Sequence, residues 1–226
     1  MSKDLYLIGE GTTEHLFANR VLAPYLALKG IYVHASVLPK KGESGGDVRF
    51  ERVKLVVEGY LKQRLDTLVA TFVDYYGIKS WPRLDQVRAC DNLSPEQIAE
   101  QLNNAAIDSL SEDLSKYVVA NRYFPFMAVH EFEALLFSDS GLLAEAIGID
   151  RNCIDSVLNE CGAPEKINNS PQTAPSKRLA KWSEGRFGKT TTGVVLAAKI
   201  GIDKMREQCP NFHAWLSRIE DSVRSS

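Results

Sequence analysis

The sequence predicts an α/β protein with a mainly parallel sheet of about four strands flanked by helices, followed by a helical C-terminal extension. Over the first 130 residues, short apolar runs alternate with longer segments of helical periodicity. This alternation is typical of parallel strands joined by crossover helices. After residue 140, helical segments are separated by glycine and proline, and no strand is predicted. We therefore expect an α/β domain over 1–139 and a helical extension packed on it over 140–226.

The N-terminal part of the chain predicts a strand, a helix and a second strand. An apolar run predicts the first strand at about 4–9. Apolar residues at helical spacing predict a helix over 13–29, and Gly30 is a typical residue just beyond a helix end. The second strand is predicted at 31–38. A polar, glycine-rich loop follows it.

The remaining elements of the α/β domain follow from the same criteria. The run at 67–73 is nearly continuous in apolar residues, as expected for a strand covered on both faces. Ser94 and Pro95 suit the N-cap and first position of a helix that runs to about residue 110. Further predicted elements are a helix over 47–64, a strand over 123–129 and a helix over 131–137.

Composition limits the classes of protein that this chain can represent. Its 226 residues are 44% hydrophobic, which is enough for a folded core, and its net charge is −2. Nucleic-acid binding would therefore need a local basic patch. No run of 18 apolar residues predicts a membrane span, and no signal peptide is recognised. Four widely spaced cysteines without a CxxC pair predict reduced thiols in a cytoplasmic protein.

Acidic residues follow three of the predicted strands. They are Glu10 and Glu14 after the first strand, Asp74 after the third, and Glu131 and Glu133 after the fourth. Parallel strands end at one edge of the sheet, so these carboxylates are expected to converge there. Converging carboxylates repel one another unless a cation joins them. Mg²⁺ or Mn²⁺ suits such oxygen ligands and would activate a phosphodiester.

Several of these acids also have a purely structural interpretation. Glu14 lies in the first turn of a helix, where the helix dipole alone favours a carboxylate, so a catalytic and a structural role both stay open. Asp74 could simply start a turn that Gly77 completes. Glu131 and Glu133 point to different sides, and Glu131 is the one expected to reach the site. Glu10 is hardest to explain structurally, because glycines flank it and allow close approach.

Basic residues and one histidine complete the predicted site. His130 could act as a general acid or donate a hydrogen bond to a phosphate, although a lone histidine at a strand end is as often structural. Lysines in the loop after the second strand would lie at the same sheet edge as Glu10, and a second basic stretch with interleaved aromatic residues lies near the C-terminus. The residues predicted to bind phosphate are Lys40, Lys41, Lys177, Arg178 and Lys189.

Four segments of the chain resemble a known family. Gly9 to Glu14 resembles the first motif of Toprim domains, the metal-dependent catalytic fold of topoisomerases, primases and the overcoming-lysogenization-defect nucleases. With 73–77, 130–137 and 175–178, it resembles the bacterial family catalogued as domain of unknown function 4276. The resemblance implies a Toprim/Rossmann-like fold, Glu10 as a general base or metal-linked glutamate, and Asp74 as a metal ligand.

The chain departs from the Toprim pattern at one position. The second Toprim motif has two aspartates as DxD, and here Tyr76 occupies the second position. Glu131 or Glu133 could supply the missing ligand; otherwise the site binds metal weakly or catalysis is lost. The resemblance further implies an effector of a bacterial anti-phage or DNA-maintenance system that acts with an AAA or ABC-type ATPase.

Three functions are therefore considered. The first is a Mg²⁺-dependent nuclease that cleaves phosphodiester bonds of DNA or RNA. The second is a catalytically inactive binding or regulatory subunit of an ATPase partner, which the absence of the second aspartate favours. The third is a small-molecule phosphotransferase or phosphatase that uses the same sheet edge.

Overall fold

The structure is a computed structural model that describes residues 2–39, 48–167 and 172–224. The chain forms two compact units, which are described separately. The first unit contains residues 1–129 and 215–226, and the second contains residues 130–214.

The boundary between the units differs from the division expected at residues 139 and 140. It lies at residues 129 and 130, and the last residues of the chain return to the first unit. The reason is the packing of Trp215. Its indole N–H donates a hydrogen bond to the backbone oxygen of Phe124 at 3.0 Å, and its ring lies 5.0 Å from that of Phe126. The C-terminal segment is thus not wholly part of a separate helical extension.

The first unit is built on a four-stranded parallel sheet, which confirms the predicted fold class. Its strands are β1 (Lys3–Gly9), β2 (Ile31–Val37), β4 (Leu68–Asp74) and β6 (Tyr123–Ala128), in the order β2-β1-β4-β6. All three neighbouring pairs are parallel. Two short strands, β3 (Val48–Arg49) and β5 (Ile78–Ser80), form a separate parallel pair that the sequence did not predict.

Position in the sheet explains the composition of each strand. β4 lies between two strands, and its residues are buried except for the partly exposed Asp74. β2 is an edge strand, and its Tyr32 and His34 are exposed. Pro125 lies in β6, the other edge strand. Proline has no backbone N–H to donate, and an edge strand tolerates this because it pairs on one side only. The carboxyl ends of β1, β4 and β6 lie at one edge of the sheet.

Helices flank this sheet within the first unit. The helix predicted at 13–29 is observed as α1 (Thr12–Phe17), a π-helical segment (Ala18–Leu22) and α2 (Ala23–Ala27). The other helices are α3 (Phe50–Gln63), α4 (Leu84–Arg88) and α5 (Pro95–Asp113). α5 begins as predicted, because Ser94 and Gln97 cap each other's backbone N–H groups at 3.3 and 2.9 Å. Three 3₁₀ turns are formed by Tyr75–Gly77, Ser115–Tyr117 and Val119–Asn121.

The second unit has no strand within its described residues, 130–167 and 172–214. It opens with a 3₁₀ helix (Phe132–Ser138), where the sequence predicts a helix over 131–137. The helices that follow are α6 (Ser140–Ile147), α7 (Arg151–Cys161), α8 (Pro175–Trp182), α9 (Val194–Ile200) and α10 (Ile202–Gln208), with a 3₁₀ turn at Pro164–Lys166 and a π-helical segment at Lys189–Gly193. The last helix, α11 (Pro210–Arg224), begins here and ends in the first unit. Within the described ranges, no helix is long and apolar enough to cross a membrane.

Candidate active site at the carboxyl edge of the sheet

The order of the strands creates a crevice between β1 and β4. From β1 the chain continues to β2 on one side, whereas from β4 the next strand of this sheet is β6 on the other side. The connections that leave β1 and β4 therefore diverge at their carboxyl ends. In open α/β sheets, ligands bind at such a topological switch point. Glu10 directly follows β1, and Asp74 is the last residue of β4.

Glu10 is positioned by contacts with the end of β4. Its backbone N–H donates to the oxygen of Phe72 at 3.1 Å, which extends the ladder between the two strands. Its carboxylate Oε2 accepts the backbone N–H of Asp74 at 3.2 Å. Gly77 leaves room for this carboxylate, since a Cβ at that position would lie 2.6 and 2.7 Å from its two oxygens. The structure therefore brings two of the predicted acids together.

Asp74 starts a turn, which is one of the two interpretations that the sequence left open. Its Oδ1 accepts the backbone N–H of Tyr76 at 2.9 Å, so it starts the 3₁₀ turn Tyr75–Gly77. At the same time, its backbone N–H orients Glu10. Tyr76, which occupies the position of the second DxD aspartate, is 51% exposed. The turn that follows β4 thus aligns Asp74 and Gly77 beside Glu10.

Glu14 has a structural partner in the loop before its helix. Its Oε2 accepts the backbone N–H of Gly11 at 2.9 Å, which satisfies a donor at the start of α1. A Cβ on Gly9 would lie 2.7 Å from the Cβ of Glu14. The space that Gly9 leaves open is therefore occupied by helix α1 of the chain itself.

The side chains near Glu10 offer few ligands for a divalent cation. Among the described residues, no three or more His, Cys, Asp or Glu side chains are grouped so that they could hold a metal ion. Mg²⁺, however, is commonly bound through one or two carboxylates, with waters and substrate phosphates as further ligands. Glu10 and Asp74 fit this open form of site and do not form a closed protein cage.

Glu131, in the second unit, caps a helix. Its two carboxylate oxygens accept the backbone N–H and the hydroxyl of Ser176, both at 2.9 Å, at the start of α8. Its backbone has φ 67° and ψ 159°, a conformation that is essentially restricted to glycine and is strained for other residues. The surrounding contacts must therefore hold this residue in place.

Glu133 is buried and forms an ion pair. Its side chain is 1% exposed, and its Oε1 lies 2.5 Å from Nζ of Lys189, which is 50% exposed. Burial raises the pKa of Glu133, and the positive charge of Lys189 acts in the opposite direction. Lys189, predicted to bind phosphate, thus has an anionic partner inside the protein.

The other predicted residues occupy different environments. Lys177 is exposed on α8, and Arg178 is partly buried with its Nε bonded to the backbone oxygen of Thr173 at 2.8 Å. His130 is partly buried. Lys40 and Lys41 lie outside the described residues.

Sequence reasoning missed three residues that arrange these groups. Gly77 was interpreted only as part of a turn, Ser176 only as part of the family-like segment 175–178, and Glu165 was not considered. Glu165 is buried and accepts the backbone N–H groups of Asn211 and Phe212 at 2.8 and 3.0 Å. A signal was available, because Ala174 and Cys209, which precede α8 and α11, are poor N-caps. A helix start without a local cap indicates a partner from elsewhere in the chain.

Comparisons with known proteins place these observations in context. The family model described as domain of unknown function (DUF4276) matches residues 9–220. No curated protein matches the chain. The C-terminal region of the Burkholderia pseudomallei OLD protein is similar at 18% identity and a TM-score of 0.43, over 100% of this chain and 98% of that one. The corresponding region of the Xanthomonas campestris pv. campestris OLD protein has 17% identity and a TM-score of 0.41, over 99% and 97%.

Proposed function

The chain belongs to the family described as domain of unknown function 4276, and from its Glu10–Asp74 pair we propose that it is a metal-dependent phosphodiesterase acting on DNA or RNA. The observation that carries the proposal is the hydrogen bond between the two residues at the carboxyl ends of adjacent parallel strands. The bond joins the backbone N–H of Asp74 to the carboxylate of Glu10, so two acidic residues lie side by side at a switch point, where open α/β sheets bind their ligands.

Glu10 and Asp74 would be the residues that hold a divalent cation. Mg²⁺ or Mn²⁺ bound there would polarise a phosphodiester and stabilise the charge that develops on its oxygens. The two carboxylates are offered from rigid positions, because Glu10 directly follows a strand and Asp74 ends one. Glu131 and Glu133 have their own partners in Ser176 and Lys189, so the proposal does not depend on them.

Glu10 has a second role in this proposal. Its carboxylate would accept a proton from the water that attacks the phosphodiester. The N–H of Asp74 holds the carboxylate in one orientation, as a general base requires. Gly77, which has no side chain, leaves room for it. In the second unit, Lys177 is exposed on α8 and stays a predicted contact for a nucleic-acid backbone.

Cleavage assays with matched variants test the proposal. Purified protein would be incubated with plasmid DNA and with tRNA in Mg²⁺ or Mn²⁺, beside Glu10→Gln and Asp74→Asn. Both variants keep the side-chain shape and remove a charge. Glu100→Gln, an exposed change on α5, is the control. We expect cleavage by the native protein and by the control, and loss in both site variants. Equal cleavage by native protein and Glu10→Gln would exclude the role assigned to Glu10.

A second candidate function is a catalytically inactive binding or regulatory subunit of an ATPase. Tyr76 at the position of the second aspartate favours it, as does the lack of a group of three metal-binding side chains among the described residues. This candidate predicts stable copurification with an AAA or ABC-type ATPase and no heat of Mn²⁺ binding in calorimetry. Mn²⁺ binding that Glu10→Gln removes would favour the enzyme instead.

The biological setting is proposed from the family resemblance. We place the protein in the bacterial cytoplasm as an effector of an anti-phage or DNA-maintenance system, switched on by its ATPase partner. Deleting the gene and challenging cells with phage would test this setting, and unchanged phage sensitivity would oppose it.

A further inference from the structure

A cavity of about 600 Å³ lies in the first unit at the amino ends of the strands. It is lined by residues at or before the starts of three neighbouring strands and by one face of the end of α11. Lys3 begins β1, whereas Glu10 follows its other end. A seven-residue strand is about 20 Å long, so the cavity is separate from the Glu10–Asp74 crevice.

The walls of this cavity are strongly basic, although the chain as a whole carries a net charge of −2. Four cationic side chains and one carboxylate, that of Asp221, line it. The cationic residues are Lys3, Lys116, Arg122 and Arg218. A concentration of one charge sign in a concave surface attracts ligands of the opposite sign.

Arg122 supplies a buried positive charge to the cavity. Its guanidinium donates to the backbone oxygens of Thr67, Leu61 and Tyr117 at 3.0, 3.1 and 3.2 Å, and also to that of Arg64. These acceptors are dipoles and not carboxylates. Asp66, whose charge acts on Arg122, is itself bound to Arg64 at 2.7 Å. Backbone oxygens thus satisfy the donors of Arg122 but do not neutralise its charge, which can still attract an anion.

Two further cations approach the same cavity. Lys116 is exposed in the 3₁₀ turn that precedes Val118. Val118 has φ 49° and ψ 53°, a left-handed conformation that is unusual for a β-branched residue, and it turns the chain between Lys116 and Arg122. Arg218 lies over the ring of Phe124 with its guanidinium carbon 5.9 Å from the ring centre. Partial burial lowers the pKa of Arg218.

The remaining walls of the cavity suit an organic ligand better than an inorganic ion. Aromatic rings of Tyr117 and Phe124 and the apolar side chains of Leu65 and Val118 line the cavity. Its volume lies within the range of about 300–1,000 Å³ that is typical of small-molecule sites. From the basic groups and these walls we infer that the cavity binds a phosphate ester of mononucleotide size, separately from the proposed phosphodiesterase site.

Calorimetry with adenosine monophosphate (AMP) and with inorganic phosphate tests this inference. The titrations would use the full chain in the presence of EDTA, so that divalent metal at Glu10 plays no part. We expect AMP to bind with a Kd below about 1 mM, and phosphate to bind more weakly because it cannot contact the apolar walls.

Matched variants locate the binding. Lys116→Glu reverses one charge of the cavity at an exposed position, and we expect it to weaken AMP binding at least about tenfold. Lys199→Glu, on α9 of the second unit, and Glu10→Gln are controls that should bind AMP as the native protein does. Arg218→Gln gives a second test within the cavity. Urea unfolding would verify that each variant is folded.

Three results would overturn the inference. They are no binding of AMP up to several millimolar, equal AMP affinity in the native protein and in folded Lys116→Glu, and phosphate binding as tight as that of AMP. Loss of AMP binding in Glu10→Gln would also overturn it, since the ligand would then occupy the other site. The AMP-binding assay contains no free divalent metal. A negative result in it therefore leaves the cleavage test of the phosphodiesterase unaffected.

Discussion

The backbone N–H of Asp74 donates a hydrogen bond to the carboxylate of Glu10 across 3.2 Å, although 64 residues separate them in the chain. The donor is the backbone of Asp74, and the acceptor is the side chain of Glu10. Asp74→Asn keeps an acceptor for the Tyr76 N–H and therefore leaves Glu10 oriented, whereas moving the backbone of the turn after β4 displaces both residues.

Gly77→Ala is expected to impair the site more than the fold. The new Cβ would lie 2.6–2.7 Å from the Glu10 carboxylate oxygens, which must move. A displacement near 1 Å can lower a rate by about 10²-fold, and we expect a loss of this order in metal-dependent cleavage. Gly59→Ala in α3 is the control, because no atom lies within 4 Å of its new Cβ. It should stabilise the helix by about 0.5–1 kcal/mol and leave cleavage unchanged. Full activity of Gly77→Ala would contradict the prediction.

Glu14→Ala is expected to destabilise the protein without removing activity from the folded fraction. The change deletes the acceptor for the Gly11 N–H at the start of α1, a loss of about 1 kcal/mol for a helix cap. Glu14→Gln keeps an acceptor oxygen and should cost less. Urea unfolding and cleavage per folded molecule measure the two effects. Abolished cleavage with unchanged stability would instead assign Glu14 to the active site.

Glu131 and Ser176 are expected to be energetically coupled. The carboxylate of Glu131 accepts two hydrogen bonds from Ser176, so Ser176→Ala and Glu131→Gln disturb the same contact. A double-mutant cycle should give a coupling of about 0.5–3 kcal/mol in the free energy of unfolding. Additive effects would show that the contact does not stabilise the protein. Glu145→Gln, exposed on α6, serves as a charge-matched control.

Lys189→Ala is expected to make stability more dependent on pH. Burial raises the pKa of Glu133 in the folded protein above its ordinary value of 4.5, and Lys189 opposes this shift. The folded protein therefore holds the proton more tightly than the unfolded chain. Stability falls as pH rises from about 4.5 through the folded pKa and then levels off. Without Lys189 this fall becomes larger and extends to higher pH.

Urea unfolding at pH 4.5 and pH 8 measures this effect. We expect Lys189→Ala to cost about 1–2 kcal/mol more at the higher pH, a modest value because Lys189 is half exposed. Glu133→Gln should remove the part of the difference in unfolding free energy between pH 4.5 and pH 8 that Glu133 causes. Lys181→Ala, an exposed change on α8, is the control. An equal cost of Lys189→Ala at both pH values would show that the charge of Glu133 is not involved.

Tyr76→Asp is expected to strengthen metal binding if the crevice is a cation site. Tyr76 is 51% exposed and lies two residues after Asp74, so an aspartate there adds a carboxylate oxygen without disturbing the core. We expect Mn²⁺ affinity to rise about tenfold in calorimetry. Tyr76→Asn is the uncharged control. No change in affinity would favour the non-catalytic function.

The sequence predicted the sheet well because burial and periodicity are local signals. β4 is apolar from Leu68 to Val73 except for Thr71, and such a run is typical of a strand covered on both faces. The short strands β3 and β5 were missed for the opposite reason. A two-residue strand such as Val48–Arg49 has no period, and its partner Ile78–Ser80 lies about thirty residues away.

The candidate site was predicted in part. Glu10 and Asp74 carried a signal because ligands of open α/β sheets gather at the carboxyl ends of the strands. The partners of Glu131 and Glu133 carried none, since Ser176 and Lys189 reach them only through the packing of the second unit. A buried carboxylate that caps a distant helix has the same sequence pattern as a metal ligand, and only the coordinates distinguish the two.

The return of the chain to the sheet limits how this protein can be dissected. Trp215 bonds to Phe124 and stacks near Phe126, while Leu216 and Ile219 are fully buried in the same unit. A fragment that stops at residue 129 would leave these apolar surfaces open to water and should aggregate. Joining residues 215–226 to residue 129 through a flexible linker would restore the missing packing. The sheet and its acidic crevice could then be produced and assayed with 141 of the 226 residues and the linker.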